Sequence, residues 1–239
     1  MRLLDLSLPT PELNLALDEA LLLAAGEGEA GETLRFWSTE ALFVVLGYSR
    51  RADREVFLDR ATRDRVPVLR RYSGGGTVLQ GPGCLNYSLI LRTAKEGPFS
   101  SIRGTSSAIM KQQAEVVQLL LGTTVEVEGE SDLTVAGRKF SGNAQRRLGD
   151  YLLFHGTFLI DFNLSKIEQY LTVPEKQPEY RARRPHTEFL TNIPLEAEPL
   201  KDALAASWDA TVQQTSIPTG RAESLVRERY SRRGWNFRR

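Results

Sequence analysis

The segment Arg70-Arg71-Tyr72-Ser73-Gly74-Gly75-Gly76-Thr77-Val78 sets two arginines and three consecutive glycines between short apolar runs. Glycine removes the Cβ from a stretch of backbone, so a ligand can approach main-chain amides closely, and a guanidinium beside that stretch adds fixed positive charge. The chemistry this combination suits is the binding of an anion. A plain glycine turn flanked by solvated arginines is the competing explanation. The spacing matches neither Gly-x-Gly-x-x-Gly nor Gly-x-x-x-x-Gly-Lys-Ser/Thr, the two common nucleotide fingerprints. A second segment, from Ser131 to Gln145, places Asp132 and Lys139 seven residues apart across a turn after Val135. On such a hairpin both could face one ligand, the carboxylate holding Mg²⁺ and the ammonium holding phosphate or carboxylate oxygens. Ser141, Gly142 and Ala144 leave room beside the lysine. Taken alone, a charged surface hairpin explains the same letters.

Regular elements must hold these segments. Thr10-Pro11-Glu12 predicts a helix start, with a hydroxyl to cap free amides, a proline in the first turn and a carboxylate at the positive dipole end. Leu13, Ala16, Leu17, Ala20 and Leu21 then form an apolar stripe, with Asn14 and Asp18 on a neighbouring face. Strand-like runs follow at 34–38, 41–46, 66–69 and 85–91, then a helix over 106–121 that Gly122 stops. The second half predicts strands at 124–128, 133–135, 138–140 and 151–160, and helices at 165–171, 199–208 and 222–230. Strands here are separated by turns more often than by helices. That indicates an α+β fold, with a mixed, largely antiparallel sheet flanked by helices.

The 239 residues carry 31 Lys+Arg against 30 Asp+Glu, a formal net charge of +1, with 41% hydrophobic residues. That balance argues against a nucleic-acid partner recognised through overall charge. One cysteine and two histidines allow neither an internal disulfide nor a multi-cysteine zinc site, and a cytoplasmic, reducing compartment is expected. No apolar run approaches the roughly 20 residues that span a bilayer, so no membrane association is expected. No composition break divides the chain, which reads as a single domain over 1–239.

Three motifs in order, Arg-Arg-x-Ser-Gly-Gly-Gly-x-Val, Gly-Arg-Lys-x-Ser-Gly-Asn-Ala-Gln (137–145) and His155-Gly156-Thr157, resemble the lipoate-protein ligase branch of the biotin/lipoate protein ligase and octanoyltransferase superfamily. Asn14 to Ala20 and Tyr230 to Asn236 fit the same pattern. The resemblance implies a catalytic domain of the class II tRNA synthetase and biotin ligase kind, without the small C-terminal accessory domain that such ligases can carry. A separate accessory polypeptide would then be one way to complete adenylation. It also implies a reaction: ATP and Mg²⁺ convert lipoate to lipoyl-AMP, and the acyl group passes to one lysine of a carrier domain. Carriers of that kind are the E2 component of 2-oxoacid dehydrogenases and the glycine cleavage H protein. Carried onto matching positions, the family pattern makes Lys139 the catalytic cation bridging acyl carboxylate and α-phosphate. Asp132 would contact metal-bound ATP. Arg70, Ser73, Gly74, Gly75, Gly76, Thr77, Val78, Asn86, Ser141, Gly142, Ala144 and His155 would line the adenylate pocket.

The chain departs from that pattern after the glycines, where the ligases commonly read His-Asp-x-Gly-Asn and this sequence reads Gln80-Gly81-Pro82-Gly83-Cys84. Cys84 raises an alternative, an ATP-independent octanoyl or lipoyl transferase working through a thioester. The transferases resembling this chain carry their cysteine shortly before the Gly-Arg-Lys motif or well after it, where this chain has none, so Cys84 reads as a small, partly buried loop residue. A non-catalytic acyl-binding protein is the other alternative. Arg181, Arg183, Arg184 and His186 could meet an acidic carrier surface or simply face water. Arg227, Arg229, Arg232, Arg233, Arg238 and Arg239 read as a basic helix end.

Overall fold

The computed structural model describes residues 1–175 and 177–238. Its strands are β1 (Arg2–Asp5), β2 (Thr33–Trp37), β3 (Phe43–Leu46), β4 (Val68–Arg70), β5 (Val78–Gln80), β6 (Cys84–Arg92), β7 (Glu126–Glu128), β8 (Asp132–Val135), β9 (Arg138–Leu148), β10 (Tyr151–Leu159) and β11 (Val212–Gln213). Eight of them form one sheet in the order β11-β1-β2-β6-β10-β9-β8-β7, and β4-β3-β5 form a second. In the large sheet β1 runs parallel to β2 and β11 while the remaining pairs are antiparallel. The fold is therefore α+β with a mixed, largely antiparallel sheet flanked by helices.

The principal helices are α1 (Pro11–Gly26), α2 (Ala52–Glu55), α3 (Leu58–Arg63), α4 (Ile102–Leu121), α5 (Ser165–Tyr170), α6 (His186–Phe189), α7 (Ala197–Ser207), α8 (Thr219–Leu225) and α9 (Arg233–Asn236). α1 begins as its sequence predicts, Leu13 donating its amide to the Thr10 hydroxyl and Pro11 opening the first turn. α4 starts earlier than the apolar periodicity indicates, because Ser101 caps it through the Gly104 amide, and it ends at Gly122 in the left-handed region. The helix expected over 222–230 divides into α8 and a π-helical turn, Val226–Tyr230.

The period of two along the strands sorts the two faces. Leu34 and Phe36 of β2, Leu85, Tyr87, Leu89 and Leu91 of β6, and Leu152, Phe154 and Phe158 of β10 pack with Ile109, Met110 and Val117 of α4 and Leu200 and Leu204 of α7. The intervening residues, Arg35, Asn86, Ser88, His155 and Thr157 among them, must point the other way, towards α1 and the second sheet. α1 lies between the two sheets with Ala16, Leu17, Ala20 and Leu21 against Trp37, Val45, Leu69, Ile90 and Leu153. That is why this helix is buried on nearly every side and why its polar Asn14 and Asp18, at 0% and 2% exposure, need internal partners.

Candidate active site

β8 and β9 form the expected hairpin, turning through Ala136 and Gly137, both with positive φ. Two positive-φ residues make the turn whose twist matches the flanking strands. The consequence is an ion pair between Lys139 Nζ and Asp132 Oδ1 at 2.8 Å. Tyr180 donates its hydroxyl to Asp132 Oδ2 at 2.7 Å. Lys139 also lies over Gly142, where a Cβ would come within 2.7 Å of the ammonium nitrogen.

The glycine ribbon is held in shape by the arginine before it. Arg71 donates to the Gly74 carbonyl at 2.7 Å and the Gly76 carbonyl at 2.9 Å, and from Nε to Ser73 Oγ at 3.1 Å. Arg50 Nε takes the Gly75 carbonyl at 3.0 Å. With the carbonyls so occupied, the amides of the cavity-lining Gly75, Gly76 and Thr77 donate to no acceptor among the described residues. Burial pulls the Arg71 guanidinium down to about 10, with Arg50 adding repulsion, so it remains charged at neutral pH beneath a row of free N–H groups. Positive charge and unpaired amides together make an anion cradle. Gly75 has φ +85°, and a Cβ there would meet Arg71 Nη2 at 2.7 Å and Ala144 Cβ at 3.4 Å. We predict that Gly75→Ala lowers stability by about 1–2 kcal/mol from the backbone conformation alone and weakens anion binding, read by thermal melting and ligand titration. Unchanged values for both would show that Gly75 does not set the ribbon.

Ribbon and hairpin line one cavity of about 900 Å³. Of the residues singled out in the sequence, Gly75, Gly76, Thr77, Val78, Asn86, Asp132, Lys139, Ser141, Gly142, Ala144 and His155 line it. Arg70 is a correction to the expected site. It is fully buried away from the cavity, its guanidinium donating to the carbonyls of Gly47, Tyr48, Arg50, Trp235, Asn236 and Arg238. It ties the C-terminal turn to the loop after β3, and Arg71 takes the cavity wall. Ser73 and Gly74 also sit behind that wall.

Ser73 Oγ lies 2.5 Å from His155 Nε2. His155 Nδ1 in turn faces Asp18 Oδ2 at 3.5 Å, and Asp18 Oδ1 accepts from Arg35 Nη1 at 2.6 Å. Arg35 also donates to the backbone and side-chain oxygens of Asn14. Burial by itself would raise the Asp18 carboxyl, but Arg35 and His155 together hold it below the ordinary carboxylate value. The floor of the cavity is thus a closed polar chain from α1 through β10 to the ribbon.

Sequence reasoning noted Asn14 and Asp18 without assigning them here, quoted Thr157 only as part of the His155-Gly156-Thr157 motif, and passed over Arg35. Gln80, seen only as a departure, donates to Thr157 Oγ1 at 2.8 Å, and that hydroxyl donates to Asn86 Oδ1 at 2.6 Å. Cys84 is not the partly buried loop residue expected. It is the first residue of β6, 3% exposed, away from the cavity wall, and burial pushes its thiol up to about 12. Arg181 and Arg184 do not form an open basic loop either, because both guanidiniums stack on Phe189 at 4.7 and 5.4 Å. Arg239 lies outside the described residues.

Magnesium ordinarily takes one or two carboxylates together with substrate phosphates. Among the described residues no cluster of three or more His, Cys, Asp or Glu is assembled for a metal, and Asp132 lines the cavity with Glu128 and Glu130 just before it in the chain. That donor set fits a cation arriving with a polyphosphate. No helix of the described residues is long and apolar enough to cross a membrane.

Among solved structures, a lipoate-protein ligase A bound with ATP shares the fold, at 24% identity and TM-score 0.82 over 99% of this chain and 98% of that one. A bi-partite lipoate protein ligase from Thermoplasma acidophilum does so at 23% identity and TM-score 0.83, covering 99% and 95%. A probable lipoate-protein ligase A of Mycoplasma pneumoniae is 34% identical over 163 residues, 68% of this chain but 46% of that protein, so the match spans just under half of that relative. Octanoyltransferase LipM of Symbiobacterium thermophilum is 29% identical over 270 aligned positions, 99% of this chain and 98% of that one. With the lipoyl protein ligase A/B catalytic domain matching residues 10–207, the chain belongs to that family.

Proposed function

We propose that the chain is an ATP-dependent lipoate-protein ligase, acting in the cytoplasm on a lipoyl carrier domain such as that of a 2-oxoacid dehydrogenase E2 or the glycine cleavage H protein. The observation that carries this reading over ATP-independent octanoyl transfer is the state of the sole cysteine. A thioester route needs a thiolate at the substrate, whereas Cys84 is 3% exposed and outside the cavity lining, and burial pushes its thiol up to about 12.

Activation without an enzyme nucleophile suits what is present. A carboxylate attacking the α-phosphorus of ATP brings like charges together as the bond to pyrophosphate breaks, and fixed cations must offset that repulsion. Lys139 is the flexible ammonium for the approaching oxygens, released from Asp132 as the anion enters. Arg71 and the free amides of the ribbon hold the phosphate from the other side. Asp132 would hold magnesium, which supplies Lewis-acid charge stabilisation when bound. The acceptor lysine then attacks the acyl carbonyl as a free amine and AMP leaves. His155, fixed through Asp18 and Ser73, stands at the cavity floor as a hydrogen-bonding wall for the acyl end.

The test is the mass of an isolated lipoyl domain after incubation with the enzyme, lipoate, ATP and Mg²⁺, with nucleotide omitted as control. We expect lipoylation only with ATP, and Cys84→Ser to retain at least half of the wild-type rate. Nucleotide-free transfer from octanoyl-carrier protein that disappears in Cys84→Ser would replace this reading with the transferase one. Full conversion by the isolated chain would show that no accessory polypeptide is required.

A further inference from the structure

Charge on this molecule is balanced overall but not locally. Beside the glycine ribbon, three guanidiniums converge on three partly exposed aromatic rings. Arg238 lies over Tyr48 at 3.6 Å and Trp235 at 4.4 Å; Arg146 lies over Tyr72 at 4.5 Å and Tyr48 at 5.4 Å; Arg229 lies over Trp235 at 5.4 Å and Tyr72 at 5.6 Å. The rings themselves meet edge to face, Tyr48 with Tyr72 at 6.3 Å and with Trp235 at 5.9 Å. Among the described residues the carboxylate of this cluster is Glu19, buried at 1% and paired with Arg229. Neither Arg146 nor Arg238 has a carboxylate within ion-pair distance there, although Glu19 also attracts Arg146, and Arg50 nearby is paired with Glu55. The Tyr48 phenol is held below its ordinary value by Arg238 first, then by Arg146 and Arg229, which shows how closely the three charges gather.

The cluster is continuous with the active site. Tyr48 donates its amide to the Ser73 carbonyl at 2.8 Å, Tyr72 is the residue before Ser73, and Arg146 lies two positions along β9 from Ala144, which lines the cavity. We propose that this arginine-aromatic cluster is the docking surface for an acidic face of the protein that brings the acceptor lysine to the cavity. The inference rests on the carrier-modifying reading above and says where the carrier sits. Stacking on rings fixes guanidiniums without neutralising them; Arg146 Nη2 donates to the Tyr72 hydroxyl at 3.3 Å and Arg238 Nη2 to the Tyr48 carbonyl at 2.8 Å, while Nη1 of each has no acceptor among the described residues. Arg, Tyr and Trp are the residue types that dominate protein interfaces, and unpaired cations at a rim speed encounter with an opposite charge. The competing occupant is the triphosphate tail of the nucleotide, and the half-reactions tell the two apart.

The experiment compares wild type with Arg146→Glu/Arg238→Glu and with Arg146→Lys/Arg238→Lys in two assays. One is pyrophosphate release from lipoate and ATP with no acceptor; the other is acyl transfer to an isolated 2-oxoacid dehydrogenase lipoyl domain, from lipoate and ATP or from octanoyl-carrier protein. We expect the glutamate pair to lower kcat/KM for the lipoyl domain at least tenfold, mainly through KM, and to flatten its salt dependence, with pyrophosphate release within twofold of wild type. The lysine pair recovers most of the loss. Equal losses in both assays would assign the cluster to nucleotide binding or to folding, and unchanged transfer would remove it from docking; either overturns the proposal. Absence of pyrophosphate release by wild type would sink the ligase reading alone, since transfer from octanoyl-carrier protein still reports docking.

Discussion

Lys139→Ala is expected to cut lipoate-dependent pyrophosphate release by at least about 10²–10³-fold, the scale on which removing one preorganised charge-stabilising donor acts. The side chain lines the cavity, its ammonium held 2.8 Å from Asp132 Oδ1 with the side chain 22% exposed. Such partly solvated pairs contribute about 0–1 kcal/mol to stability, so the variant should melt close to wild type. The main-chain role of this position, accepting from the Thr191 amide at 2.9 Å, survives truncation. Catalytic and structural effects are therefore separable by assaying turnover and melting on the same preparation. Wild-type turnover with unchanged melting would remove Lys139 from the chemistry.

The largest stability effect is expected from Asp18→Asn. Asp18 and Arg35 form an ion pair with side-chain exposures of 3% and 0%, and removing the charge of one partner leaves a buried guanidinium uncompensated. Such a loss typically costs about 3–5 kcal/mol, which denaturant titration should read directly. The pH dependence carries the same signature. Because the folded carboxyl titrates below its ordinary 3.8, its contribution is fully present above that value and is lost as pH falls through the folded value. Wild type should therefore lose this increment below about pH 3.8 while the Asn variant, lacking the group, shows a flatter acid limb. A loss under about 1 kcal/mol would mean that Arg35 finds other partners when Asp18 is neutral.

Much of the architecture was legible because its causes are local. The cap at Thr10, the left-handed stop at Gly122 and the turn after Val135 each follow from residue chemistry within a few positions. β9 beyond Phe140 was not, since Ser141-Gly142-Asn143-Ala144-Gln145 has little strand propensity; its extended state comes from pairing with β10 along its length. The short β1 and β11 are likewise set by their neighbours. Arg70 and Arg71 show the limit most clearly at the site. Successive residues of an extended chain point to opposite sides, so one arginine faces the cavity and the other is buried behind it, and the letters alone do not choose. The internal role of Asn14 and Asp18 depended on α1 lying between two sheets, a fact of packing that their i, i+4 spacing does not contain.

The central claim is that this cavity couples lipoate to adenylate before any carrier arrives. The direct measurement is pyrophosphate release on mixing enzyme, lipoate, ATP and Mg²⁺ with no acceptor protein. A lipoate-dependent burst approaching one pyrophosphate per active chain, absent from Lys139→Ala, is predicted. No release, together with acylation of a lipoyl domain from octanoyl-carrier protein without nucleotide, would contradict the account.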